Sequence, residues 1–426
     1  MAPTRSGDVP ASADRTRRDE ILRIAADVFA RTDYSGTSLR DIADAAGILA
    51  GSLYHHFPSK ESLAIELISG YHAEIDDLVR RFEPDPDRPL AGIAEFADQI
   101  GRIVQRHRGA AQMCRLDAPS SATEALSALV GRKQAGLDRR WAELLRLARG
   151  SGALRADIDL ATLQAVLSSA VFDLVLGVGA EPPSELVGTL TSLVLHGLAT
   201  ASQPAEELDA SAASQIARDH AEAWTTLAED SGEGRRGQIL ATARQEFARR
   251  GYEATTIRDI STASGIRPSS IYRHFRSKQE ILNGIVARFS RFLLAGYEAV
   301  AAAPGSASQR LDALCWLMAS AASRFRPEFV IVKDWWRVLD NPTEAPPEDN
   351  STRLRLLEGV ISDGIASGEF TRPRDPARLA VALRATLWVP LTESAASPVP
   401  RRHTFLRRSL LNGAATTEAR TRVTAP

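Results

Sequence analysis

Two lysines sit in the same local context far apart in the chain: Lys60 in HHFPSKESL and Lys278 in RHFRSKQEI. Each follows a serine that can cap the free N–H groups of a helix start. Each ammonium therefore lies where the helix macrodipole is already positive, a placement that costs roughly 0.3–1 kcal/mol. A cation repeated at a disfavoured place calls for an anion from outside. A DNA phosphate over the helix start would answer both the N–H groups and the ammonium. The other reading is an exposed lysine with no partner. Tyr54 and Phe57 are three apart on one helix face, as are Tyr272 and Phe275. The phenyl rings read as core. The tyrosines read as core too, with the hydroxyl either incidental or on a phosphate. His55 and His56 are neighbours in sequence, so on a helix they do not face one another and make no metal pair. His56 and His274 are read as interface or phosphate-side residues, and neither metal nor cofactor is expected.

The elements that must position these side chains are written twice. The 46 residues from Arg18 align without a gap to those from Arg236, with 21 positions identical. A repeat of this length means two copies of one domain-sized module. Ile21, Leu22, Ala25 and Phe29, mirrored by Ile239, Leu240, Ala243 and Phe247, give a first helix one apolar face. Ser38-Leu39-Arg40-Asp41 and Thr256-Ile257-Arg258-Asp259 are capping boxes, each opening a short second helix. Gly47 and Gly265 make the sharp turn that follows, and AGSLYHHF or PSSIYRHF forms the third helix. Helix, tight glycine turn, helix is the helix-turn-helix plan, whose second helix enters the major groove.

The stretches GILAGSLYHHFPSKESL and GIRPSSIYRHFRSKQEI resemble the headpiece signature of the TetR/AcrR family of bacterial transcriptional regulators. The resemblance covers both headpieces strongly and the remainder in outline. It implies an all-α fold of two tandem units, each with a three-helix headpiece and a helical ligand-binding and dimerisation domain. It also implies a repressor on a double-stranded DNA operator, released by a small apolar or amphipathic effector. Relatives of this kind pair as homodimers. Two units in one chain imply an intramolecular pseudodimer, with residues 159–199 packed against about 376–413.

The two headpieces differ where they would face bases. The first offers Leu49, Ala50, Gly51, Ser52 and His55; the second offers Arg267, Pro268, Ser269, Ser270 and Arg273. Arginine can make bidentate contacts to guanine, whereas Leu, Ala and Gly touch at most a thymine methyl. Residues 15–62 carry 7 basic and 7 acidic side chains, against 10 and 5 in residues 233–280. The second headpiece is expected to supply most of the affinity and salt dependence, on an operator with two unlike half-sites. The DNA-binding set is Arg40, Ser52, Tyr54, His55, His56, Lys60, Arg258, Arg267, Ser269, Ser270, Tyr272, Arg273, His274 and Lys278. An alternative keeps DNA binding in the second headpiece alone and makes the first a protein-interaction module.

Around these elements the chain of 426 residues divides into a disordered arm (1–14), a headpiece (15–62), a helical sensor domain (63–200) and a connector (201–232). A second headpiece (233–281), a second sensor domain (282–413) and a disordered tail (414–426) follow. The repeat runs past the headpieces: Ser151-Gly152 with Asp159 corresponds to Ser367-Gly368 with Asp375. Residues 1–230 hold 23 Lys and Arg against 34 Asp and Glu, and residues 231–426 hold 29 against 19. Opposite signs favour pairing of one half with the other. Met113, Phe172, Phe329, Trp335 and Trp336 are candidates for an effector pocket, with plain core packing the competing reading. Cys114 and Cys315 show no metal-ligand spacing and read as reduced thiols. The longest apolar run is interrupted by Asp173, so no membrane span is expected and a cytoplasmic protein is. No nucleophile elbow, phosphate-cradling glycine loop, zinc spacing or catalytic carboxylate pair occurs, which argues against an enzyme.

Overall fold

The computed structural model describes residues 11–32, 34, 36–115, 122–177, 183–229, 234–252, 254–338, 349–371, 375–393 and 397–419. Among them every regular element is helical, and two isolated β-bridges complete the backbone pairing. The first repeat runs α1 (Ala11–Thr32), α2 (Leu39–Ala45), α3 (Ala50–His56), α4 (Lys60–Arg81), α5 (Pro89–Arg106), α6 (Arg108–Arg115), α7 (Glu124–Val130), α8 (Ala135–Gly150), α9 (Leu160–Gly177) and α10 (Pro183–His196). Between the repeats lie α11 (Ala205–Asp209) and α12 (Ala212–Glu229). The second repeat runs α13 (Gly234–Arg250), α14 (Ile257–Ser264), α15 (Pro268–His274), α16 (Lys278–Ala301), α17 (Ala307–Arg324), α18 (Arg326–Val338), α19 (Asp349–Ala366), α20 (Pro376–Glu393) and α21 (Val399–Arg407). A π-helical turn, Arg408–Asn412, ends it.

These helices gather into two compact units, one built on α1–α4, α6 and α7, the other on most of α5 and α8 through α21. In the first unit α1 packs on α2 and α6. The α1–α6 contact requires a glycine: a Cβ on Gly109 would stand 2.4 Å from the Ala26 carbonyl oxygen. His72 is buried in α4 and bonds the Leu129 carbonyl at 3.0 Å and the Gln134 side chain at 2.7 Å.

The second unit contains an aromatic stack from α5 to α8, with Phe82 4.8 Å from Phe96 and Phe96 5.0 Å from Trp141 between ring centres. Helix α9 is long and apolar enough to cross a bilayer, with mean hydropathy 1.7. Here it packs against α8, α10 and α20, burying Leu163, Val166, Leu167, Ala170, Val171, Leu174 and Val175. Helix α10 packs against α20 and the π-helical turn. Second-half arginines reach first-half carboxylates across this contact: Arg378 to Glu185, Arg401 to Asp159 at 2.6 Å, and Arg408 to Asp157 at 3.3 Å.

The backbone joins the two halves reciprocally. Leu198 N–H donates to Leu410 O and Ala199 N–H to Leu411 O, at 2.8 and 2.9 Å; Ala414 N–H donates to Val194 O and Ala415 N–H to Leu195 O, at 2.9 and 2.8 Å. Thr200 N–H reaches Glu369 O as Thr416 N–H reaches Ala153 O, both at 2.9 Å. The bridges Leu154–Ala415 and Ala199–Phe370 complete the exchange. Every bond has a counterpart with the halves swapped, the signature of an isologous contact.

Four expectations need correction. Helix α1 starts at Ala11, inside the expected arm, because ASADRTRR is rich in Ala and Arg, good helix formers. The expected tail is held at residues 414–416 by the bonds above, and Ala414 and Ala415 are fully buried. The expected connector is core: α12 packs along α16 and α17, burying Ala213, Ala217 and Trp224 at helical spacing. Trp224 meets Phe325 edge-on at 5.4 Å. The headpiece boundaries at 62 and 281 fall inside single unbroken helices, α4 and α16.

Candidate nucleic-acid interface

Each headpiece is locked by the same local chemistry. Ser38 Oγ accepts from Asp41 N–H at 3.2 Å while the Asp41 carboxylate accepts from Ser38 N–H at 2.8 Å. Thr256 and Asp259 repeat this at 3.2 and 2.9 Å. The cap hydroxyl and amide hold both carboxyls below the usual aspartate range. Gly47 and Gly265 turn the chain at φ 64° and 67°, in the left-handed region that glycine enters without strain. Ser59 Oγ accepts from Ser62 N–H and Ser277 Oγ from Glu280 N–H, capping α4 and α16 as expected.

The second helix of each pair touches the protein by little. In α3 only Leu53 is buried, and in α15 only Ile271; Phe57 and Phe275 close the helices from below. Ser52, Tyr54 and His55 are exposed, with His56 half-buried. Arg267, Ser269, Tyr272 and Arg273 are exposed, with Ser270 and His274 half-buried. Arg40 and Arg258 are exposed on the preceding helices. A seven-residue helix held by one buried side chain leaves most of its side chains open to solvent. The bases would meet an apolar start in α3, where Leu49 is 83% exposed, and an arginine in α15.

The tyrosines are not core. Tyr54 and Tyr272 are each 55% exposed, since only one side of so short a helix faces the headpiece and Leu53 or Ile271 fills it. Both rings stand more than half in solvent.

The lysines have partners inside their own headpieces. Lys60 Nζ donates to the carbonyls of Tyr34 and Thr37 at 2.7 and 2.8 Å and lies 4.2 Å from the centre of the Tyr34 ring. Lys278 Nζ donates to Tyr252 O at 2.9 Å and lies 4.2 Å from the Tyr252 ring. Carbonyl dipoles and a ring face offset the adverse helix terminus from within. The unpartnered reading does not account for these contacts. The one available signal was Tyr34 and Tyr252, identical between the copies. A further lock escaped sequence reasoning: Arg18 lies 4.3 Å over the Phe57 ring and Arg236 4.1 Å over Phe275.

The effector-pocket candidates fall in both compact units. Met113 is buried in the first compact unit. In the second, Phe172 is half-buried on α9, and Phe329 packs edge-on to Phe289 at 5.3 Å in the core. The side chains of Trp335 and Trp336 lie outside the described residues. Cys114 is half-buried and Cys315 buried, both free thiols; burial pushes the Cys114 thiol up to about 12 and Cys315 well above its ordinary value. No group of three or more potential metal ligands occurs among the described residues.

Two helix-turn-helix headpieces in one all-helical chain define a DNA-binding regulator. Residues 21–67 and 239–285 both match the profile of the bacterial regulatory proteins, tetR family. The HTH-type transcriptional repressor KstR2 of Mycobacterium tuberculosis is 32% identical over 157 residues, covering 36% of this chain and 78% of that protein. KstR2 of Rhodococcus jostii is 51% identical over 78 residues, covering 17% and 37%. The solved structure of the ketosteroid transcriptional regulator KstR2 of Mycobacterium tuberculosis is 28% identical, with TM-score 0.38, covering 41% of this chain and 92% of that one. The chain belongs to the tetR family of bacterial regulatory proteins, in duplicate, and is a DNA-binding transcriptional regulator rather than an enzyme.

Proposed function

We propose that this chain is a cytoplasmic repressor that works as a covalent pseudodimer and binds an operator with two unlike half-sites. The carrying observation is the reciprocal backbone ladder between residues 152–155 and 194–200 and residues 368–371 and 410–416. One chain thereby supplies both faces of a contact that a homodimer would build from two copies. The Arg378–Glu185, Arg401–Asp159 and Arg408–Asp157 pairs make this contact directional, which favours the mixed pair over a like pair. The relatives named as repressors support repression, and release by a small apolar or amphipathic effector follows the family's pattern.

Unlike half-sites follow from the reading helices. Arg267 and Arg273 are exposed and able to fork onto guanine, whereas Leu49, Ala50 and Gly51 carry no hydrogen-bonding side chain. The bare start of α3, with Leu49 83% exposed, also favours a second reading in which the first headpiece docks a protein.

Affinity selection of sheared genomic DNA on the purified chain, followed by sequencing, tests both. Enrichment of a motif with two unlike halves is the expected result. A perfect palindrome would overturn the asymmetry. A motif of one half-site alone would move the first headpiece to the docking role.

A further inference from the structure

The helical core of the second repeat carries two arginines at positions that helical periodicity assigns to apolar side chains. On α19, Arg353 precedes the buried Leu357, Val360 and Ile361 by four, seven and eight residues, the spacing of one helix face. On α20, Arg384 lies four residues after Ala380 and three before Leu387, both buried. Helix α19 packs against α16, α17 and α20, and α17 packs against α20, so both arginines belong to one bundle.

Electrostatics brings the two guanidinium groups together. Arg384 is pushed below its ordinary value by burial and then by the charge of Arg353. Tyr297, buried on α16, feels both: burial pushes its hydroxyl up to about 12, while the two guanidinium groups pull against that rise. Both arginines are half-buried rather than sealed, so solvent reaches them. Like charges held near one another inside a bundle oppose each other. Each guanidinium also presents a planar fork of donors that fits a carboxylate or a phosphate.

The carboxylate that α17 buries is engaged elsewhere: Asp312 accepts from Arg407 Nε at 2.7 Å and lies 3.0 Å from His403 Nε2. This polar core belongs to the second repeat alone. With α5 aligned to α17 and α10 to α21 by their first residues, Ala94, Val187 and Thr191 occupy the places of Asp312, His403 and Arg407. The register of α4 on α16 puts Val79 at the place of Tyr297. The register of Ser151-Gly152 on Ser367-Gly368 puts Leu137 at the place of Arg353 and Ser168 at that of Arg384. Uncharged side chains stand at all of these places in the first repeat.

We propose that the helical core of the second repeat binds an amphipathic anion, a carboxylate or phosphate head on an aliphatic body, with the head on Arg353 and Arg384 and one site per chain. The head relieves the repulsion between the two guanidinium groups, which a neutral ligand of the same body cannot do. Leu357, Val360, Leu383 and Leu387, which flank the pair on α19 and α20, suit an apolar body. Leu137 and Ser168 offer an anion nothing comparable in the first repeat. That this anion acts as an effector rests on the regulator reading; that it binds does not.

The test is calorimetric titration of the full chain, without DNA, with octanoate, octyl phosphate and octanol. Octanoate or octyl phosphate should bind saturably at one site per chain, at least about tenfold more tightly than octanol, and the tighter of the two identifies the head. Arg353→Met and Arg384→Met should each bring the anion down to the affinity of octanol and leave octanol itself unchanged. Arg384→Lys keeps the charge and should keep part of the preference, which separates lost recognition from lost folding. Octanol binding as tightly as both anions, two equal sites per chain, no saturable binding, or a preference untouched by both methionine variants would each overturn the proposal. The comparison of the three ligands on the wild-type chain depends on no variant. Failure to enrich an operator would sink the regulator reading and leave this titration standing.

Discussion

Gly197 and Gly413 meet back to back where the two repeats join. A Cβ on Gly197 would stand 2.4 Å from Gly413 N, and one on Gly413 would stand 2.3 Å from the His196 carbonyl carbon. Both have positive φ, 70° and 69°, and Gly413 combines its value with ψ 160°, a region open essentially to glycine alone. The backbone ladder that holds residues 194–200 against 410–416 depends on this approach. Alanine at either position should cost more than about 2 kcal/mol, from left-handed strain together with backbone overlap. Chemical denaturation of Gly197→Ala and Gly413→Ala would check it. Wild-type stability in both would mean the ladder does not hold the halves together.

The two reading helices should respond unequally to truncation. Arg267→Ala is expected to cost about 1–3 kcal/mol in operator affinity and to relax specificity at one base pair. Leu49→Ala removes only an exposed apolar contact and should shift affinity much less. Binding isotherms at several salt concentrations would read both. Equal losses would place the two headpieces on equivalent half-sites.

The lysines at the starts of α4 and α16 should behave as structural residues. Lys60→Met and Lys278→Met each remove hydrogen bonds to loop carbonyls and a cation–ring contact, so each should lower stability by about 1–2 kcal/mol. The salt dependence of DNA binding should stay put, because no phosphate contact is lost. A salt slope shallower by about one unit, with unchanged melting, would return these lysines to the DNA.

How much of this was legible varied with the range of the interaction. The capping boxes at Ser38 and Thr256, the glycine turns and the buried Phe57 and Phe275 are local, and their spacing declared them. Tyr54 and Tyr272 share a periodicity with Phe57 and Phe275, but periodicity does not say how much of a seven-residue helix is covered. The lysine contacts reach back 26 residues to Tyr34 and Tyr252, beyond any helical period. Helix α12 lies in the stretch read as a connector; that its Ala213, Ala217 and Trp224 face a partner is shown only by α16 and α17. The residues at 414–416 carry no periodic signal, since backbone bonds to Val194, Leu195 and Ala153 hold them.

Thiol chemistry should be slow at both cysteines. Burial pushes Cys114 up to about 12 and Cys315 well above its ordinary value, so almost no thiolate exists near neutral pH. The native chain should react with Ellman's reagent at pH 8 far more slowly than the unfolded chain, which exposes both. A rapid stoichiometric reaction in the native state would contradict the buried environments described above.

Acid should loosen the second repeat through Asp312. Burial alone would raise this carboxyl, but the hydrogen bonds from Arg407 and His403 outweigh it and hold the folded value below the ordinary carboxylate range. A depressed folded value means that the carboxylate contributes stability above its unfolded pKa of about 4, and that this is lost as pH falls through the lower folded value. Unfolding free energy should therefore decline below about pH 4, and Asp312→Asn should flatten the decline because that position no longer titrates. The same substitution leaves Arg407 and His403 without their buried anion, at a cost of about 3–5 kcal/mol at neutral pH. Ala94, Val187 and Thr191 fill the matching places of the first repeat with uncharged groups, so Ala94→Asn should leave the acid limb unchanged. An acid limb equally steep in wild type and Asp312→Asn would show that other carboxylates govern it.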